Sequence, residues 1–295
     1  MFDLGKVLED LNITREYMAV KLGVSRDYLD NIIESNKENI QVELYGKFIQ
    51  IESNEQLLPE LLQFYQEFSE NFSELESFLR EALYYEDTNI PRRMVNIVEW
   101  LVTLADDIEQ IRKGKDGLKI FFLVVCIESL YKLANPEEKQ SKMSVVIDFF
   151  ENIICREDRE FILRNVKRSL ADKRFNIFRE ENESYEDYEH RIAEEIDGSF
   201  NTEIDIQTFA KIINEVRNMF VHEGNFWEFH FPDGDGISLI NSLVFAETYQ
   251  EFKLKQKNER IYEINLTYRD FRRICVKGYI RYICNFLASL KNQKL

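Results

Sequence analysis

Proline, glycine and histidine are scarce in this 295-residue chain, and each scarcity closes off a class of protein. Four prolines and ten glycines are too few for the frequent turns of a strand-rich architecture, so long helices are expected. Three histidines, at 190, 222 and 230, leave no room for a histidine-built metal centre, which would need nearly all of them. A Mg²⁺ held by carboxylates stays open, but no metal site is assigned. Cys126, Cys155, Cys275 and Cys284 never pair as Cys-x-x-Cys and fall in helical stretches, which reads as free thiols rather than a zinc or disulfide framework. Neither a Gly-x-x-x-x-Gly-Lys phosphate loop nor a Gly-x-Gly-x-x-Gly element occurs, and no cofactor is expected. The longest apolar run, residues 120–127, is far too short to span a bilayer. The opening Met1-Phe2-Asp3 lacks the basic region and apolar core of a signal peptide. The expected location is the cytoplasm, away from membranes.

What the chain has in quantity is apolar and aromatic surface: 44% hydrophobic residues, with 23 Phe and 14 Tyr, enough for a real core. Its net charge of −16 is unevenly spread. Residues 1–52 carry −4, 53–91 carry −8 and 179–205 carry −9, whereas 92–178 and 206–295 carry +2 and +3. The acidity therefore belongs to the N-terminal third and one insertion, and the remainder tolerates a polyanion without offering a steep basic field.

Three regions follow from the patterning. In residues 1–52, Thr14 and Ser25 read as N-caps of two short helices separated by Gly23-Val24-Ser25. Ala19, Leu22, Val24, Leu29 and Ile32 fall where a helix-turn-helix buries its contacts. Residues 53–91 form an acidic helical connector whose leucines and aromatics recur at three and four. Residues 92–295 read as a bundle, with helices over 92–112, 117–134, 141–154, 156–172, 206–222 and 268–291. An acidic insertion, 179–205, interrupts it, with one short helix around 184–196. A β-ornament, 226–266, follows: alternating aromatics flank Pro232-Asp-Gly234 as a hairpin, and residues 259–266 add a strand.

The Met18-Ala19 and Leu22-Gly-Val-Ser25 runs resemble the repressor-type helix-turn-helix family. That resemblance points to Ser25, Arg26, Tyr28 and Asn31 as DNA-contacting positions. The same face also carries Asp27, Asp30 and Glu34, which favours docking of a protein partner over DNA.

The chemistry-bearing stretch is Arg217-Asn-Met-Phe-Val-His-Glu-Gly224. Arginine is permanently charged and holds phosphate, while histidine moves protons near neutral pH. Asn218 and His222 are four apart and share a helix face, with Arg217 adjacent. Gly224 reads as the helix stop. These parts suit metal-free RNA cleavage: a base for the ribose 2′-hydroxyl, an acid for the leaving 5′-oxygen and a cation for the charged intermediate. A plainer reading has Arg217 paired with an acid such as Glu215 or Glu223 and His222 capping the helix C-terminus. Basic residues Arg164, Lys167, Arg168, Lys173 and Arg174 form one candidate RNA-backbone track. Arg272 and Arg273 of the last helix form a second, with Tyr268 or Tyr279 placed to stack on bases.

The Arg217–His222 run resembles the Arg-x4-6-His motif of the HEPN superfamily, with Asn218 in the polar slot after the arginine. The segments 119–133 and 141–150 are similar to the middle helices of such domains, and the likeness covers residues 92–295. It implies a mainly α fold and a metal-independent endoribonuclease that leaves a 2′,3′-cyclic phosphate. It also implies a homodimer with a composite site, and a role in bacterial defence or as a toxin-like effector. The alternative is a non-catalytic helix-turn-helix regulator or adaptor whose HEPN-like domain is a dimerisation scaffold.

Overall fold

Side-chain caps set where most of the helices begin. Asp3, Thr14, Ser25, Asn71, Ser141 and Thr267 each accept a hydrogen bond from a backbone N–H of the first turn, satisfying a donor that the helix itself cannot. The computed structural model describes residues 2–35, 37–111, 115–168, 183–188, 190–191, 202–223, 229–232, 238–240 and 262–293, with backbone alone at 109, 219–223 and 238–240. The fold is mainly helical with a small antiparallel sheet. It divides into two compact units, Met1–Arg92 and Arg93–Leu295.

In the first unit, α1 (Leu4–Asp10), α2 (Arg15–Leu22) and α3 (Arg26–Glu34) pack on α4 (Glu38–Tyr65). Gly23 takes φ +66 between α2 and α3, the left-handed conformation that glycine adopts without strain. Leu4, Leu8, Met18, Ala19, Leu29 and Phe48 form the core, with Leu22 and Val24 packed against it. The Gln41 side chain ties three elements together. Its oxygen accepts from Leu4 N at 3.0 Å, and its nitrogen donates to the carbonyls of Ile32 and Ile33, both at 3.1 Å. A 3₁₀ turn (Gln66–Phe68) leads to α5 (Phe72–Leu83), which packs on α4. Here the expected division changes. Helix α4 runs unbroken through residues 52 and 53, so the acidic stretch is not a separate connector but part of the same unit. Asn54, 1% exposed, makes that continuity necessary: it donates to Leu83 O at 2.7 Å and accepts from Arg92 Nε at 2.6 Å.

The second unit is built around α7 (Asp116–Ala134), apolar nearly all round and flanked by α8 (Lys142–Asp148), α10 (Ile206–Glu223) and α11 (Tyr268–Asn292). Helix α6 (Ile90–Ile111) precedes it. Helix α8 passes into a π-helical turn, Phe149–Ile153, and α9 (Arg156–Asn165) follows. Phe149, Phe150, Phe209, Phe271 and Tyr279 interleave in the core. At one end of α7 the buried pair Lys119–Asp116 (2.9 Å) anchors the 229–232 segment, since Asp116 accepts from Phe231 N at 2.8 Å.

A strand forms within 259–266 as expected, and the rest of the sheet differs from expectation. Its order is β1 (Val166–Arg168), β3 (Tyr262–Ile264), β2 (Ser238–Ile240), all antiparallel. The helix expected over 156–172 stops at Asn165, whose side chain donates to Phe161 O at 2.8 Å while its carbonyl accepts from Asn265 N at 2.7 Å. That exchange of helix for ladder bonds turns residues 166–168 into an edge strand. No hairpin forms within 226–240 among the described residues: 229–232 is not strand, and β2 pairs with β3 instead. Tyr185–Tyr188 are helical, as expected for the 184–196 segment, but most of the 179–205 insertion lies outside the described residues, as do Lys173 and Arg174. Among the described residues, no helix is long and apolar enough to cross a membrane.

Candidate functional site

Phe209, Ile212, Ile213 and Val216 line the buried face of α10, and Arg217, four residues after Ile213, continues it. Arg217 is therefore 5% exposed, facing α7 rather than solvent. Opposite it, Glu128 is the one acidic residue of α7 beyond its first turn. Arg217 Nη2 lies 3.2 Å from Glu128 Oε2, and Nη1 donates to Asn218 Oδ1 at 3.0 Å. Asn218 Nδ2 reaches Glu215 Oε2 at 3.4 Å, a long bond. The charges on either side fix the Asn218 amide, with its oxygen toward the guanidinium and its nitrogen toward the carboxylate.

This arrangement departs from the expected one in a specific way. Glu128 takes the guanidinium, so Arg217 finds its acid on a neighbouring helix rather than at Glu215, while the Glu223 side chain lies outside the described residues. Burial denies it direct contact with a phosphate in this conformation. What it does instead is hold Asn218, which is half-buried. Helix α10 continues one further turn to Glu223, placing His222 on the same face as Asn218; its side chain lies outside the described residues. Glu128 Oε1, Arg217 Nε and Asn214 Oδ1 are buried with no hydrogen-bond partner among the described residues. Such atoms cost about 1–3 kcal/mol each, so this cluster is not at its hydrogen-bonding optimum.

Compared with known proteins, the chain matches no family model, no curated protein and no solved structure. The functional reading rests on the residues.

Two directional contacts orient the site. Gln207 Nε2 donates to Glu151 Oε1 at 3.1 Å, so α10 starts beside the end of the π turn. Ten residues later Arg217 meets Glu128, in the second half of α7. Helix α10 therefore runs alongside α7 in the same direction and against α8, and its last turn heads for the α7–α8 connection. A pocket of about 210 Å³ opens there, lined by Glu128, Tyr131, Asn135, Gln140, Lys142 and Val145 among others. Tyr131 hydrogen-bonds Asp148 and stacks on Tyr282 (4.5 Å); burial, then that carboxylate, pushes its phenol far above the ordinary range.

The proposed RNA tracks fare unevenly. Arg164 is exposed, with Nε on its own helix at Glu160 O (3.3 Å), and Lys167 pairs across the sheet with Glu263 at 3.0 Å. Arg168 is half-buried and its backbone N donates to Thr202 O. Arg272 does not face a ligand: Nε and Nη2 both bind Asp106 at 2.8 Å, and the side chain is 13% exposed. Tyr268 donates to the same Asp106 at 2.7 Å, and fully buried Tyr279 donates to Leu123 O at 2.7 Å, so neither ring is free to stack on a base. Arg273, half-buried, remains compatible with a backbone contact.

In the first unit, Ser25 caps α3 through Tyr28 N (3.2 Å), a structural use of its hydroxyl. Tyr28 and Asn31 are exposed. Arg26 lies 3.5 Å from Glu16 and 3.6 Å from Asp30, which neutralise the charge a phosphate would use.

Glu128 is the site residue that motif reading missed. Its signal was present: a lone carboxylate within an apolar helix, which burial obliges to find a cation.

Proposed function

We propose that the chain is a metal-independent endoribonuclease of HEPN type, cutting by attack of the ribose 2′-hydroxyl. The observation that carries the reading is the Glu128–Arg217–Asn218 relay, which fixes a polar side chain one helical turn from His222. In this reading His222 is the proton-transfer group and Asn218 contacts the phosphate or steadies the imidazole. Arg217 is a positioning residue, and its charge raises the local potential beneath the phosphate. One histidine cannot serve both the attacking and the leaving oxygen at once. The reading therefore includes a homodimer that brings two such helices together, acting in the cytoplasm in defence or as a toxin-like effector.

The test is incubation of wild type and His222→Ala with total RNA and tRNA in EDTA, with analysis of fragment ends. Loss of general acid–base catalysis lowers cleavage by about 10²–10⁴-fold. Discrete cuts ending in 2′,3′-cyclic phosphate are expected for wild type only. Equal residual activity in both proteins refutes the site.

Burial of Arg217 favours a second reading, in which this domain is a dimerisation scaffold and the N-terminal helix pair docks a protein or DNA. The pairing of Arg26 with Glu16 and Asp30 weighs against DNA. Absence of cleavage at any protein concentration, with salt-dependent duplex binding that requires residues 25–34, supports it.

A further inference from the structure

The pocket at the α7–α8 turn lies at the end of the bundle toward which α10 carries His222, and Glu128 belongs to both the pocket and the Arg217 pair. Two of its linings are uncommitted. Lys142, at the start of α8, is exposed and makes no ion pair or side-chain hydrogen bond among the described residues. Asn135, just past the end of α7, is also exposed, and its side-chain amide has no partner among the described residues. The other polar linings are engaged in part or whole: Lys132 donates to Pro136 O, Tyr131 to Asp148 and Gln140 to Glu138 at 2.8 Å, while Glu128 holds Arg217 through Oε2 and keeps a buried Oε1 without a partner among the described residues. An unpaired ammonium beside an unpaired amide is the equipment for one phosphate and one base edge. Asparagine presents a donor and an acceptor side by side, as a base edge does. At about 210 Å³ the cavity falls below the roughly 300–1,000 Å³ of drug-sized ligand sites, room for one base rather than a dinucleotide.

We propose that this pocket is the subsite for the nucleotide beside the scissile bond: Lys142 takes its phosphate, Asn135 reads its base, and the strand must be unpaired there. A base within a duplex has its edge occupied and cannot enter, whereas a loop or single strand splays it out. The inference rests on the ribonuclease reading and gives it a substrate class, single-stranded or looped RNA with a base preference next to the cut.

The experiment uses full-length protein carrying His222→Ala, so that RNA survives. Binding of a fluorescein-labelled single-stranded 12-mer is followed by anisotropy across a salt series, with Lys142→Ala or Asn135→Ala added. Both positions are exposed, and circular dichroism checks that each variant keeps its helix content. Lys142→Ala is expected to weaken binding several-fold and lower the salt slope by about one charge. Asn135→Ala is expected to leave that slope unchanged while flattening the ranking among A-, C-, G- and U-rich strands. Unchanged affinity, slope and ranking overturn the proposal, as does equal binding of a duplex of the same sequence. A nucleoside monophosphate that binds more tightly than the strand also overturns it, assigning the pocket to a free nucleotide. Wild-type cleavage separates the two claims. Pocket-dependent binding without any cleavage refutes the ribonuclease and keeps the RNA subsite; cleavage indifferent to Lys142 and Asn135 refutes the subsite alone.

Discussion

Removing one member of the Glu128–Arg217 pair strands a charge that the fold has taken out of water. The Arg217 side chain is 6% exposed and that of Glu128 19%, so the two losses are unequal. Glu128→Leu leaves a guanidinium with one neutral partner, the Asn218 oxygen, and is expected to cost about 3–5 kcal/mol. Arg217→Met leaves a carboxylate on the more exposed of the two side chains, though its Oε1 is buried, so its cost belongs at about 3 kcal/mol, the low end of the same range. The double variant removes both charges and fills the space with apolar atoms, and is expected within about 1 kcal/mol of wild type. Urea unfolding followed by far-ultraviolet circular dichroism suits the question, because the Arg93–Leu295 unit is mainly helical. Additivity of the two single variants to within about 0.5 kcal/mol would refute a coupled buried pair. The stable double variant also separates fold from chemistry. It keeps α10 in place but removes the group that orients Asn218, so the ribonuclease reading expects it to fold and to cut poorly.

Gly278 of α11 lies where a Cβ would come within 2.5 Å of Phe149 Cζ and 2.6 Å of Ile154 Cδ1, both buried. Overpacking of about 1–3 kcal/mol outweighs the gain of about 1 kcal/mol in helix propensity, so Gly278→Ala is expected to lower the urea midpoint. An unchanged midpoint sinks this account of the α11–π-turn contact. Asp205 accepts from Thr208 N at 2.6 Å, the N-cap geometry for α10, and the Thr208 hydrogen bonds hold its carboxyl below the ordinary value of 3.8. A depressed carboxyl stabilises the fold above its unfolded pKa and loses that contribution as pH falls through the folded one. Wild type is therefore expected to be more stable than Asp205→Asn at pH 6, with the gap closing below about pH 3.8; a gap independent of pH refutes the carboxylate cap.

Periodicity and caps made the helices legible. Thr14 and Ser25 cap the helices expected after them, and α6, α7, α10 and α11 begin and end within a few residues of where the apolar repeats of three and four do. The strand within 259–266 was legible, but its pairing was not, because the strands are three residues each and come from distant parts of the chain. Val166–Arg168 becomes a strand only when Ile264 and its neighbours arrive to pair with it, a non-local cause that no window of sequence contains. The boundary expected between 52 and 53 failed for a related reason, whereas the one near 91 falls where the two units divide. The acidic face of residues 53–65 resembles a solvated linker, while the opposite face carries Leu58, Leu61 and Tyr65 into the core with α5. At the site, motif spacing placed Asn218 and His222 on one face. It ignored the register that puts Arg217 in the buried stripe with Ile213.

That register decides what an arginine can do. A guanidinium exposed beside His222 would bind phosphate through a bidentate contact and lose only hydration on doing so. Arg217 would have to leave Glu128, and the carboxylate left behind would keep its desolvation cost with no compensation. Exchanging one anion for another across a buried position is therefore unfavourable unless the substrate also restores a partner to Glu128. Asn218 faces no such barrier. It is half-buried, bonded to Arg217 on one side, and its other side-chain bond among the described residues, to Glu215, is long at 3.4 Å. A phosphate oxygen arriving at Asn218 Nδ2 replaces a long bond to one anion by a shorter bond to another while the Arg217–Glu128 pair stays intact. In this arrangement the arginine acts at one remove. Arg217→Lys, which keeps the charge but not the two-pronged hold on Glu128 and Asn218, then behaves like a loss of function rather than a conservative change.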